Sequence, residues 1–294
     1  MIDHPSSKRL RVALFGAGRV GTAVALLLAR AGHQIVAVSS RSTDSAERAR
    51  QLLGAPVVGW GREPGEPVDL ILCGLTDVAL PQAPAALEGV EMEGRIVCHF
   101  AGVLGVEPLA PLAVRGARIV ALHPVQACPS IEAAVERLPG SAWGITCAPD
   151  LHVWASELIE RDLHGVAVPV DEAARAVWHA AAVTVSNGTA ALLAAGESML
   201  SAIGIDHPES VLGPLAMGTI QNAVEGGGGG ATLTGPIVRA DVTTLAQHTA
   251  GLEGVDPNLR VMYQLFAVFI AEQAVRAGRI SPEQRVAALE AIAR

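Results

Sequence analysis

His179, Ser186 and Asn187 stand in the stretch WHAAAVTVSNG, residues 178–188, which is otherwise small and apolar and reads as helix. At about 100° per residue, positions seven apart fall within roughly 20° of each other and positions eight apart within roughly 80°. His179 and Ser186 therefore share one helix face, with Asn187 beside them. An imidazole can give up a proton near neutral pH, and a hydroxyl and an amide can hold the group that receives it. Equally, three such groups could cap or bridge helices in a small-residue core, and small residues also suit helix dimerisation.

Two more places could carry chemistry. His123 closes a strand-like run just before Pro124, the position from which a side chain faces the cleft of an α/β sheet. His99 lies inside such a run, where a core histidine with its hydrogen bonds satisfied is expected. In TLTGPIVRAD, residues 232–241, Thr234, Gly235 and Pro236 make a loop into a helix, with Arg239 and Asp241 in its first turn. Arg239 could grip a substrate carboxylate in bidentate fashion, with Thr234 and Asp241 beside it. Arg239 and Asp241 could as well fix the glycine-rich loop before them. The five glycines Gly226–Gly230 cannot sit in a helix interior at their propensity cost; they predict a flexible loop or helix end, able to close over a substrate.

Lysine is nearly absent. The single one, Lys8, lies in the N-terminal MIDHPSSKRL, so chemistry that needs an ammonium in a pocket is excluded and histidine is the candidate acid.

The elements that must position these groups divide in two. Apolar strands are expected at 10–15, 35–38, 68–75, 95–102, 117–125, 142–148 and 164–170, alternating with helices. Near-continuous apolar strands in β-α-β order imply an α/β fold with a doubly wound, mostly parallel sheet. From residue 171 only helices are expected, at about 171–203, 208–224, 239–253, 257–277 and 282–293. The predicted domains are 1–170, dinucleotide-binding, and 171–294, all-helical.

Between the first strand and its helix stands Gly16-Ala17-Gly18-Arg19-Val20-Gly21. Gly16 allows the tight turn, Gly18 lets backbone approach a pyrophosphate, and Gly21 lets the helix pack close on the strand. The helix N-terminus offers N–H donors to phosphate, and Arg19 could face it too. An NAD site places a carboxylate about 20 residues on, for the ribose 2′-OH. Here the second strand ends in Ser39-Ser40-Arg41, two hydroxyls and a guanidinium suited to a 2′-phosphate. NADP is therefore the expected cofactor, unless Arg41 merely begins a solvated loop. The strand ends Leu75-Thr76 and Ala101-Gly102 should line its path toward His123.

Composition narrows the partners. Half of the 294 residues are hydrophobic, 17% are charged, and the net charge is −8, which argues against a nucleic-acid surface. No apolar run reaches the roughly 18 residues of a membrane span, and the first ten residues lack the apolar core of a signal peptide. Cys73, Cys98, Cys128 and Cys147 are too dispersed for a metal clip, so no metal is expected; free thiols point to a reducing cytoplasm.

Several stretches together resemble a known family: LFGAGRVGTAVALLLARAGH, HFAGVLGVEPLAPL, GARIVALHPVQA, WHAAAVTVSNGTAALLAAGE, GPLAMGTIQNAV and ATLTGPIVRADVTTLAQH. The family comprises NADP-dependent oxidoreductases, most without an assigned substrate. They have a Rossmann-like N-terminal domain and a helical C-terminal domain of unknown function, similar to that of 6-phosphogluconate dehydrogenase. It is a distant relative of 3-hydroxyacid dehydrogenase, pyrroline-carboxylate reductase and ketopantoate reductase. The resemblance implies hydride transfer to a small carbonyl, ketopantoate being the named 2-oxo acid, and suggests a homodimer. An imine reductase of the pyrroline-carboxylate type and a non-enzymatic NADP-binding sensor are the alternatives. Hydroxyacid dehydrogenases of the wider group carry a lysine four residues before an asparagine on the interdomain helix. If that asparagine is Asn187, the lysine's place is taken by Val183.

Overall fold

The computed structural model describes residues 9–293, so Lys8 and most of the N-terminal lead-in lie outside the described residues. Contacts divide the chain into two compact units, Met1–Ser186 and Asn187–Arg294.

The first unit is built on seven strands: β1 (Arg11–Phe15), β2 (Gln34–Ser39), β3 (Leu70–Cys73), β4 (Ile96–His99), β5 (Arg118–Pro124), β6 (Ala142–Cys147) and β7 (Val166–Pro169). Their order is β2-β1-β3-β4-β5-β6-β7. A parallel bridge between Val38 and Val57 adds a rudimentary strand outside β2. With it the first six positions take the order of a dinucleotide-binding sheet, and the order reverses between β1 and β3. Helices α1 (Arg19–Arg30), α2 (Thr43–Leu53), α3 (Ala83–Ala86), α4 (Ala110–Val114), α5 (Ile131–Arg137) and α6 (His152–Glu157) make the connections.

Strand periodicity explains the two layers. Val12, Leu14, Leu70, Leu72, Ile96 and Cys98 face one core with Ala23, Val24, Leu27 and Leu28 of α1. Their neighbours Ala13, Phe15, Ile71, Cys73 and Val97 face the opposite core with Leu80, Leu87, Leu109 and Leu112. Both faces are covered, which is why the strands read as unbroken apolar runs.

Every strand pair is parallel except β5 with β6. The connecting helix α5 has seven residues, a rise of about 10 Å. β6 starts beside the end of β5 and runs back along it, Pro124 pairing with Trp143, and Val125 N–H donates to Ala142 O at 2.8 Å.

A long helix, α7 (Arg175–Ala202), begins in the first unit and continues into the second. The second unit adds α8 (Pro208–Glu225), α9 (Gly229–Thr232), α10 (Val242–Glu253), α11 (Pro257–Arg276) and α12 (Pro282–Ala293). Its core is alanine-rich: Leu245, Ala267, Ala271, Ala274, Ala288 and Ile292 are buried together. In the glycine run, Gly227 and Gly228 take positive φ, while Gly229 and Gly230 open the one-turn α9. Among the described residues no helix is long and apolar enough to cross a membrane.

Candidate functional site

The glycine turn sits where β1 passes into α1. Gly16 has φ +90°, and a fourth glycine, Gly74 after β3, interlocks with the other three. A Cβ on Gly74 would stand 2.2 Å from Gly16 O, one on Gly18 would stand 2.6 Å from Gly74 O, and one on Gly21 2.7 Å from Gly74 Cα. The two strand ends at the reversal of the sheet therefore meet backbone to backbone. Gly18 serves this contact with β3 as well as any approach to a ligand. Gly74 was missed in the sequence because it belongs to no local motif.

Gly18 is the N-cap of α1 and supplies no side-chain cap, and the first turn holds no acidic residue. The first N–H groups of α1 thus keep their capacity for an anion. The Arg19 guanidinium donates to Pro129 O at 3.0 Å. Ala17 and Val20 are partly buried against the sheet core, and Leu75 packs its side chain onto Gly16.

At the end of β2, Ser39 is buried and its hydroxyl faces Gly59 O at 3.3 Å. The Ser40 hydroxyl accepts from Ser42 N–H. The Arg41 guanidinium lies 5.7 Å from the ring centre of Trp60, and Trp60 stacks on Phe15 at 4.0 Å. Trp60 gave no signal in the sequence, since it is an isolated aromatic in loop text, brought here by the bridge to β2. No carboxylate stands in Ser39–Ser42. A glycine turn, a bare helix N-terminus and an arginine where NAD sites carry an acid fit NADP better than NAD.

Beyond the ends of β4 and β5 a second cluster forms, with the start of α7. The rings of His123 and His179 meet edge to face at 5.4 Å. Both abut Gly102: a Cβ there would stand 2.2 Å from His179 Cδ2 and 2.9 Å from His123 Nε2. The Trp178 indole N–H donates to His123 Nδ1 at 2.9 Å. Arg175 is 1% exposed. Its guanidinium donates to Ala101 O and to Thr146 Oγ1, and its Nε is buried without a partner. Burial lowers the Arg175 pKa, opposed by Glu172 and Asp77. Burial, then the neighbouring His179 and Arg175, push the His123 pKa down to about 4.

His99 is the satisfied core histidine expected. It is buried, with Gly105 O 2.7 Å from its Nε2 and Ala101 N–H donating to its Nδ1 at 3.2 Å. Burial first of all lowers its pKa to about 4. His99 and Arg175 thus hold the turn from Ala101 to Gly105 from two sides. Arg175 and Trp178 were missed because their role depends on β6 lying antiparallel to β5. Thr76 is exposed and uses its carbonyl to start the following turn.

Ser186 and Asn187 are exposed, two turns further along α7. In the second unit, Thr234 and Arg239 are exposed. Helix α10 starts at Val242, later than the expected 239, so Arg239 and Asp241 precede the helix and do not lie in its first turn. Asp241 is its N-cap, accepting from Thr244 N–H at 3.1 Å and Thr244 Oγ1 at 2.8 Å. Ala240, at φ +50°, ends the turn that leads into the cap. Among the described residues no cluster of three His, Cys, Asp or Glu could hold a metal ion.

Comparison with known proteins agrees with this architecture. No curated protein matches the chain. Among solved structures, a Bacteroides fragilis protein provisionally described as an NADP oxidoreductase shares 24% identity, covering 90% of this chain and 98% of that one, with a TM-score of 0.74. A reductive aminase from Aspergillus terreus in complex with NADPH and ethyl-5-oxohexanoate shares 18%, covering 95% and 98%, at 0.65. An imine reductase from Myxococcus stipitatus in complex with NADP+ shares 16%, covering 97% and 100%, at 0.66. A family model for a Rossmann-like domain matches residues 3–124, and one for a domain of unknown function, DUF2520, matches residues 141–270. The chain joins a Rossmann-like domain to a DUF2520 domain.

Proposed function

We propose that this protein is an NADP(H)-dependent oxidoreductase acting on a small carbonyl compound, a 2-oxo acid such as ketopantoate being the leading candidate. The observation that carries the reading is the pairing of His123 and His179 over Gly102, beyond the strand ends where ligands of such sheets lie. Gly16, Ala17, Gly18, Val20 and Gly21 with the α1 N-terminus would hold the pyrophosphate, and Ser39, Ser40 and Arg41 the 2′-phosphate. Leu75, Thr76, Ala101 and Gly102 would line the nicotinamide end. When bound, NADPH supplies the hydride. The carbonyl oxygen gains the electron pair of the broken π bond and takes a proton from His179, which water then replaces. Ser186, Asn187, Thr234 and Arg239 are proposed to contribute to substrate binding, Arg239 as partner of a carboxylate, while Asp241, expected beside them, is taken up by its cap on Thr244.

The solved structures of an imine reductase and a reductive aminase with this fold favour a second reading, reduction of an imine. A homodimer is part of the proposal. Helix α8 has no buried residue, and Leu215, Met217 and Val224 are 66%, 68% and 77% exposed, an apolar surface suited to a second copy. Four free cysteines suit a cytoplasmic setting. The experiment is calorimetric titration with NADPH and NADH, then a screen of 2-oxo acids and cyclic imines for loss of nicotinamide absorbance. Tight NADPH binding and turnover of a 2-oxo acid is the expected result; no binding of either nucleotide would end the proposal.

A further inference from the structure

Three observations converge on Trp178. Its indole N–H reaches His123 Nδ1 at 2.9 Å. Its ring covers Gly144, where a Cβ would stand 2.8 Å from both Nε1 and Cε2. And Gly144 is the residue paired with His123 across the antiparallel β5–β6 ladder. A bare backbone beside His123 therefore makes the seat in which the indole lies.

An indole N–H is a donor only. The Nδ1 it meets must be an acceptor, so His123 cannot be imidazolium and cannot carry its proton on Nδ1. Its proton is on Nε2, the nitrogen beside Gly102 and His179. Among the described residues no group hydrogen-bonds that Nε2. The charged and titratable groups that act on it are His179 and Arg175 on α7, with Asp77 and Glu172 acting on Arg175 in turn. The fixed charge among them is the Arg175 cation.

We propose that Trp178 is a positioning residue that locks His123 as a neutral imidazole presenting Nε2–H, and that the site consequently takes a substrate offering a hydrogen-bond acceptor, a carbonyl oxygen, in preference to a protonated imine. The substrate half of this inference rests on the oxidoreductase reading above; the tautomer half does not. A carbonyl oxygen accepts from Nε2–H, and the negative charge it gains on reduction is favoured by that donor and by Arg175. An iminium N–H brings a donor and a positive charge to a place that already has both, and finds no acceptor. His123 keeps its proton throughout, since losing it would make an imidazolate. The transferred proton is left to His179.

The test is nitrogen-15 NMR of the full-length protein with labelled histidine. Near pH 7 His123 should show an unprotonated Nδ1 and a protonated Nε2. In Trp178→Phe it should become a mixture of tautomers, because Nδ1 loses the donor that fixes it. Gly144→Ala, which displaces the indole without removing it, should do the same and guards against a misfolded first variant. A protonated Nδ1 in the native protein, or a single unchanged tautomer in both variants, overturns the lock. For the substrate class, the NADPH-loaded protein is saturated with 2-oxopentanoate or with 1-pyrroline-2-carboxylate. The His123 Nε2–H resonance should move with the ketone and not with the iminium. Movement with the imine alone, with both equally or with neither overturns that half. Failure to bind NADPH at all would sink the oxidoreductase reading while leaving the tautomer result to stand.

Discussion

Trp178 and His123, from α7 and β5, are joined by a 2.9 Å hydrogen bond that runs from the indole nitrogen to Nδ1. It ties the first turn of the long helix to the end of a sheet strand within one compact unit. The two imidazoles therefore have a defined place relative to Gly102, and the consequences can be measured.

Gly102→Ala should cost activity and not the fold. The added methyl would stand 2.2 Å from His179 and 2.9 Å from His123, and a displacement of about 1 Å in a catalytic group can cost roughly 100-fold. Turnover with the substrate found by screening should fall by that order, while the melting temperature changes little.

Arg41→Ala should separate the two nucleotides. Charge-assisted hydrogen bonds contribute about 1.5–3 kcal/mol, so NADPH affinity should drop roughly 10- to 100-fold. NADH affinity should stay nearly constant. Equal loss for both would show that Arg41 does not meet the 2′-phosphate. Trp60→Ala, which removes the ring beside the guanidinium, should give a smaller loss of the same kind.

Gly74→Ala should destabilise the domain. Its methyl would stand 2.2 Å from the Gly16 carbonyl oxygen and 3.1 Å from Gly21 Cα, backbone that cannot swing aside. Overpacking of this sort costs about 1–3 kcal/mol. A lower urea midpoint together with weakened NADPH binding is expected, since the same turn serves both.

Acid should weaken the fold through its buried histidines. Burial holds His99 and His123 near 4, against 6.5 for a free imidazole. Between pH 6.5 and 4 the unfolded chain binds protons that the native state refuses. Stability therefore rises with pH across that window and falls as pH drops through it, by up to about 3 kcal/mol for the fully buried His99. Urea midpoints measured between about pH 7 and 4.5 should show this trend, with a smaller span in His123→Gln.

Asp241→Ala should behave as loss of a helix cap. Removing the acceptor for Thr244 N–H costs about 1 kcal/mol of stability and should leave NADPH affinity unchanged. A large fall in substrate affinity at constant stability would instead assign Asp241 to the substrate.

The seven strands, the long C-terminal helices and the glycine turn were legible in the residues, because each rests on local periodicity or on a motif of six adjacent positions. Apolar runs of four to seven residues show as strands wherever both faces are covered, and GAGRVG needs only its own backbone to be recognised. Gly74, Trp60, Arg175 and Trp178 were not legible. Each has its role through a partner remote in the chain, Ala101 for Arg175 lying 74 positions away and His123 for Trp178 55, and no spacing encodes that. The direction of β6 decided most. Its antiparallel pairing with β5 sets Gly144 opposite His123 and so gives the indole its seat. The sequence by itself determined which elements form and where a dinucleotide could lie. Only the tertiary structure decided which two histidines meet and which nitrogen carries the proton, because pairing across a sheet is a long-range contact.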